Sequence, residues 1–168
     1  MQERAGLDYI SDGEWRRENY VRIFTDRVGG FRRKVTGTDP PRGQKYSAAV
    51  VSRLEPHHPI ACEEADFLRR NTDHKIIVAL PAPYTIGRRM WDQEVSIGAY
   101  PAREAFMKDC VPILRQEVIE LSKLGVDAIQ LDDPWLSRLV DPRYLQQEGI
   151  EDIQKELEIS VETINQVT

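Results

Sequence analysis

Two adjacent carboxylates, Asp132 and Asp133, follow the short apolar run Ala128-Ile129-Gln130-Leu131 and are closed off by Pro134. A second acidic group, Asp12-Gly13-Glu14, follows Leu7-Asp8-Tyr9-Ile10-Ser11, with Arg17 three residues beyond Glu14. In each case an apolar segment ends in acids. In repeating β/α folds the residues at the carboxyl ends of strands face the active site, so these carboxylates are the first candidates for chemistry. Gln130 lies two residues before Asp132 and shares its face of the strand, whereas Asp133 points the opposite way, toward a structural role. Blander roles exist for each. Glu14 could satisfy free N–H groups at a helix start, Asp132 could cap a loop beside Pro134, and Arg17 could hold a carboxylate or stack within its loop.

The elements that must position these groups read in order as β/α units. A short helical start precedes a strand over 6–11. Residues 15–31 form a loop and a short helix ending at Gly29-Gly30, and 34–43, with Gly37, Pro40, Pro41 and Gly43, form a loop. Residues 47–54 are a third strand, followed by the surface loop Glu55-Pro56-His57-His58-Pro59 and a helix over 60–70. Lys75-Ile76-Ile77-Val78-Ala79-Leu80 is the clearest strand; its continuous apolar character predicts burial on both faces of a parallel sheet. Tyr84 and Thr85, just past its end, are placed to line a pocket or to form a plain exit turn. A long helix over 101–124 is expected to kink or split at Pro112 and to stop at Gly125. After the Asp132 strand, 136–149 reads as a loop with a single turn. An amphipathic helix over 150–167 should bury Ile153, Leu157, Val161 and Ile164. There are no hairpin signals, so right-handed crossovers should join the strands into one parallel sheet.

With 168 residues, one domain is expected. Net charge is −5 with acids and bases mixed throughout, unlike the basic face of a nucleic-acid binder. No apolar run approaches the ~20 residues that span a bilayer, and no signal-peptide core follows the N-terminus; the cytoplasm is the expected location. Cys62 and Cys110 lack CxxC spacing and are expected in the core, and His57, His58 and His74 form no zinc motif. No metal site is expected from this chain.

Taken together, Gly6-Leu7-Asp8 with Asp12-Gly13-Glu14 and Arg17, then Leu80-Pro81-Ala82-Pro83-Tyr84-Thr85, then Ile129-Gln130-Leu131-Asp132-Asp133-Pro134 resemble the catalytic barrel of cobalamin-independent methionine synthase. The resemblance covers nearly the whole chain. It implies an α/β fold, a partial (β/α)8 TIM-type barrel of parallel strands lacking the first strand and the C-terminal strands, with 1–168 as a single partial barrel domain. A full barrel needs roughly 250 residues. It also implies methyl transfer from methyltetrahydrofolate to a zinc-activated thiol, with Glu14 and Asp132 holding the amino group of homocysteine. Two strand-end carboxylates suit an ammonium through charge-assisted hydrogen bonds. Gln130 and Arg17 join them as substrate-binding candidates, and Trp91 stands near the position of a tryptophan that faces the pterin. Asp133 stands where the family often has glutamate. The family's zinc ligands, a His-x-Cys pair, a glutamate and a further cysteine, are expected outside this chain, which alone should be inactive. A complementary C-terminal half chain is the implied partner beside folate and a thiol. The rival readings are a non-catalytic half-barrel that binds a partner through an open sheet edge, and a related thiol transferase or lyase on the same scaffold.

Overall fold

The computed structural model describes residues 1–39, 43–57 and 59–168. A 3-10 turn at Glu3–Ala5 leads into β1 (Tyr9–Ile10), and α1 (Arg22–Arg27) precedes two long strands, β2 (Val28–Asp39) and β3 (Gly43–Pro56). Next come α2 (Cys62–Asn71), β4 (Lys75–Pro81), α3 (Pro83–Met90), α4 (Gln93–Ser96) and α5 (Arg103–Lys123). β5 (Ala128–Asp132), a 3-10 turn at Leu136–Val140, α6 (Pro142–Glu148) and α7 (Ile153–Val167) complete the order.

The expected parallel sheet is present as three strands in the order β1-β4-β5. Ile10 stands opposite Ile76, and β5 runs beside β4 from Ile77↔Ala128 to Pro81↔Asp132. This is a segment of a β/α barrel wall, with helices on one side. Ile76, Val78 and Leu80 are buried beneath those helices, whereas Ile77 and Ala79, on the alternate face, are only half-buried. The expectation of burial on both faces is therefore corrected. The second face of a barrel strand is covered by opposing strands, and three strands do not close over it.

α5 supplies most of the cover. Phe106, Met107, Cys110, Val111, Leu114 and Leu121 form its buried face at helical spacing. Pro112 neither splits nor ends this 21-residue helix. It lies on the exposed side, as does Lys108 one turn earlier, so the carbonyl that proline leaves without a donor remains open to water. Gly125 follows at φ 74° and turns the chain toward β5.

The largest departure from the sequence-based expectation is an antiparallel hairpin. β2 pairs with β3 from Val28↔Pro56 to Asp39↔Gly43, so 34–39 and Gly43 are strand rather than loop, and 47–54 is no part of the parallel sheet. The predicted turn at 40–42 lies outside the described residues, as does His58. The root of the hairpin enters the core through Val28, Ala49 and Val50. There Phe31 meets Phe24 and Phe106 edge-on, each at 6.1 Å between ring centroids. The consecutive bases Arg32-Arg33-Lys34 break the apolar-polar alternation by which a strand is read from sequence.

Two C-terminal expectations are also corrected. Residues 136–149 hold a 3-10 turn and α6, which begins at Asp141-Pro142 and ends at Gly149 with φ 62°. α7 forms as expected but presents a different face. Ile153, Leu157 and Val161 are 36%, 37% and 52% exposed, while Ile159, Ser160, Thr163 and Val167 are buried. The inward contacts are polar: Glu156 receives hydrogen bonds from Tyr84 and Arg103, and Ser160 donates to Asp133. Specific hydrogen bonds, rather than the apolar stripe, set the rotation of this helix.

α2 has no side-chain cap of its own. The N–H groups leading into it are met from α5, where Glu117, 3% exposed, accepts from Ile60 at 2.7 Å and Ala61 at 2.6 Å. An anion at a helix N-terminus is favoured by both its free donors and its dipole. Glu117→Ala would leave those buried donors unpaired. It is expected to lower stability by on the order of 3 kcal/mol in urea denaturation followed by circular dichroism, whereas exposed Ile119→Ala should change it by less than about 0.5 kcal/mol. A loss below about 1 kcal/mol at Glu117 would mean that α2 is held by other contacts.

Candidate functional site

At the carboxyl end of β1 the chain makes a tight turn. Gln2 clamps Ser11 from both sides, donating to its carbonyl at 2.8 Å and accepting from its N–H at 2.9 Å. Asp12 then accepts from the Glu14 N–H at 2.8 Å, and the Arg17 N–H donates to the Glu14 carbonyl at 2.9 Å. Gly13 has φ 72° and Glu14 φ 56°. The left-handed region is natural for glycine and costly for glutamate. Among the described residues Glu14 alone among non-glycines takes it, and such outliers gather at functional sites.

Arg17 is the central cation of this site, its side chain only 3% exposed. Its Nε and Nη2 grip Glu64 of α2 at 3.1 and 2.7 Å, its Nη1 donates to the Ala79 carbonyl of β4 at 2.9 Å, and Nη1 stands 3.4 Å from Glu14. On β5, Gln130 lies across from Ala79 and donates to Asp132 at 2.6 Å. Asp132 closes the strand, its carbonyl accepting from the Ala82 N–H at 2.9 Å.

These groups converge on one cavity of about 290 Å³ lined by Asp12, Glu14, Arg17, Glu64 and Gln130 among others. Asp132 is close enough to bear electrostatically on Glu14. The Glu14 carboxyl is pushed up, chiefly by burial; Arg17 pulls it down, and Asp132, Glu64 and Asp12 push it further up. One oxygen of Asp12 is buried without a hydrogen bond, 3.8 Å from the Arg16 guanidinium. Four carboxylates around an arginine already paired with one of them leave the cavity with an excess of negative charge. Such a site accommodates a cation with N–H donors, such as an ammonium.

Of the residues singled out in the sequence, Glu14, Arg17 and Gln130 line this cavity and Asp132 joins them through Gln130 and Glu14. Trp91 does not line it. Its indole N–H donates to the Tyr100 carbonyl at 3.1 Å and it packs against the main core. Tyr84 and Thr85 are fully buried and do not line it either. Asp133 takes hydrogen bonds from Thr85 of α3 and Ser160 of α7, both at 2.8 Å, and ties two helices to the end of β5. Glu64 and Asp12 were not singled out as ligands. Glu64 is one of two acids in the first turn of a helix, and a pattern that helix capping alone explains hides the one that turns inward.

Among the described residues no group of three or more His, Cys, Asp or Glu could hold a metal ion. The two thiols are poor ligands as placed. Burial, and then Glu117 beside it, push Cys62 up to about 12, and Cys110 is wholly buried and pushed well up. Among the described residues the possible donors do not gather into a zinc site.

The profile described as the cobalamin-independent synthase catalytic domain matches residues 1–163. The chain is similar to methionine synthase of Pyrococcus abyssi, 34% identical over 95% of this chain and 46% of that protein. It is also similar to 5-methyltetrahydropteroyltriglutamate–homocysteine methyltransferase of Citrobacter koseri, 31% identical over 80% of this chain and 18% of that protein. A B12-independent methionine synthase from Shewanella, solved in complex with selenomethionine, superposes with a TM-score of 0.69 at 31% identity, over 96% of this chain and 45% of that one. A counterpart from Listeria monocytogenes, at TM-score 0.69 and 21% identity, shares the fold. The chain spans about half the length of the curated relatives it matches most fully.

The raised Glu14 carboxyl has a consequence for stability. A group that binds its proton more tightly when folded favours the fold at low pH, and that contribution is lost as pH rises through its folded value. Glu14→Gln is therefore expected to be more stable than the parent at pH 7, with the difference shrinking as pH falls through the raised value of Glu14 into the ordinary carboxylate range. Urea midpoints at pH 4 and pH 7 test this; a variant less stable at pH 7 would place Glu14 among the groups that hold the fold together.

Proposed function

The chain belongs to the cobalamin-independent synthase catalytic-domain family, and on that premise we propose that it forms the amino-group end of a methionine synthase-like active site. The observation that carries this reading is the negative cavity, in which Glu14 lies in the wall with Arg17 already held by Glu64, and Asp132 stands behind it, bonded to the lining residue Gln130 and bearing on Glu14. Homocysteine presents an ammonium there. Glu14 and Asp132 accept its N–H groups, Gln130 holds Asp132 in register through its own N–H donation, and the thiol is turned toward the methyl donor. The reaction is displacement: a sulfur–carbon bond forms as the N5–carbon bond of 5-methyltetrahydrofolate breaks. Trp91 enters only through its ring, since its N–H is engaged by Tyr100. The Shewanella relative's complex with selenomethionine supports an amino-acid ligand for the fold.

The zinc ligands and the remaining barrel strands are supplied from outside these 168 residues, so the chain alone should not transfer methyl groups. Two free thiols suit a reducing compartment such as the cytoplasm, and no described helix is long and apolar enough to cross a membrane. A non-catalytic binding role is the second reading, favoured by β5, which has a neighbour on one side only among the described strands.

Calorimetry on the chain with homocysteine and with 4-mercaptobutyrate, which lacks the amine, tests the proposal. Homocysteine should bind, the deaminated thiol should not, and Glu14→Gln should weaken homocysteine by about tenfold or more, the ~1.4 kcal/mol or greater of a lost charge-assisted hydrogen bond. Equal binding of both thiols would overturn it. Methyl transfer on addition of the missing catalytic half separates the enzyme from the binding module.

A further inference from the structure

We propose that Arg17 and Glu64 form a positioning pair: Arg17, anchored by Glu64 on α2 and the Ala79 carbonyl on β4, fixes where the Glu14 carboxylate stands and does not itself touch the ligand. This rests on the reading above for the identity of the ligand alone. The resemblance left Arg17 as a candidate substrate-binding residue, and nothing in the sequence pointed to Glu64.

The geometry separates the roles. A guanidinium has five N–H donors in a fixed fork. Nε and Nη2 are both directed at Glu64, and Nη1 donates to the Ala79 carbonyl at 2.9 Å. The distance from Nη1 to Glu14 is longer, 3.4 Å. The Glu14 side chain is 33% exposed against 3% for Arg17, so the carboxylate is open to a ligand whereas the guanidinium, although in the cavity wall, is nearly covered. A ligand carboxylate could reach Arg17 only by displacing Glu64, itself 11% exposed and gripped in a bidentate pair. Arg17 thereby joins three elements, the turn after β1, the first turn of α2 and the middle of β4.

Glu64 also divides the charge of Arg17. The charged groups that face Glu14 are Asp12 and Arg17 from its own turn, Glu64 from α2 and Asp132 from β5. Arg17 is the one among them that favours the ionised carboxylate which an ammonium needs. Removing the two members of the pair in turn should therefore move Glu14 in opposite directions.

The experiment is the titration of the Glu14 side-chain carboxyl, followed by carbon-13 NMR in the ligand-free chain. Arg17→Met should raise its midpoint by about one pH unit, and Arg17→Lys, which keeps the charge, should restore most of the parent value. Glu64→Gln, nearly isosteric, should move the midpoint down, because it removes a like charge and frees Arg17 for Glu14. Shifts of the same sign, or an unmoved midpoint in Glu64→Gln, would overturn the proposal. If Arg17→Met does not fold, the sign in Glu64→Gln decides. Should homocysteine fail to bind while the two titrations move apart, the pair stands and the amino-thiol reading falls.

Discussion

The carboxylate of Glu117 lies inside the protein, and the placement of α2 follows from it. A carboxyl group in the interior persists only where donors surround it, and here the donors are the N–H groups of Ile60 and Ala61, just ahead of a helix with no cap of its own. Because α2 is docked end-on against α5, its first turn is fixed in space, and Glu64 with it. Glu64 orients Arg17, Arg17 spans to β4, and Glu14 stands in the field of both. A chain of charge and countercharge thus runs from the helical layer, around the edge of the sheet, to the mouth of the cavity. Each step is a charge-assisted hydrogen bond or a close ion pair.

The parallel strands and the helices that cover them were legible because their signals are local. β4 is a continuous apolar run between a charged start and a proline-rich exit, and α5 repeats its buried residues at helical spacing up to Gly125. The hairpin was not legible. Its strands carry Arg32, Arg33 and Lys34 in a row, and Pro40 and Pro41 lie between them. Consecutive charges and a proline pair read as a loop, because they carry no alternating apolar signal. α6 could have been read from Asp141-Pro142 at its start and Gly149 at its end, which are ordinary boundary signals.

The site was legible in part for the same kind of reason. Glu14 and Asp132 stood out as candidates because acids at strand exits are conspicuous, and the structure brings Glu14 to the cavity wall with Asp132 near it. Glu64 escaped because acids in a first helical turn already have an explanation. α7 teaches the converse. Its most regular apolar stripe, through Ile153, Leu157 and Val161, faces outward, and a side bearing Ser160 and Thr163 faces in. Periodicity identifies the helix, whereas its rotation follows from Asp133 and from the Tyr84–Glu156–Arg103 cluster, partners that lie far away in the chain.

The left-handed backbone of Glu14 connects this geometry to descent. A glutamate there holds a conformation that glycine adopts freely, so the position carries a standing conformational penalty of order 1 kcal/mol. Mutation toward glycine would relieve that strain at the loss of the carboxylate. A lineage that no longer used the cavity would drift toward the relaxed residue, while one that still used it would keep the strained one. At position 14 the residue that relaxes the backbone and the residue that carries the charge are thus mutually exclusive.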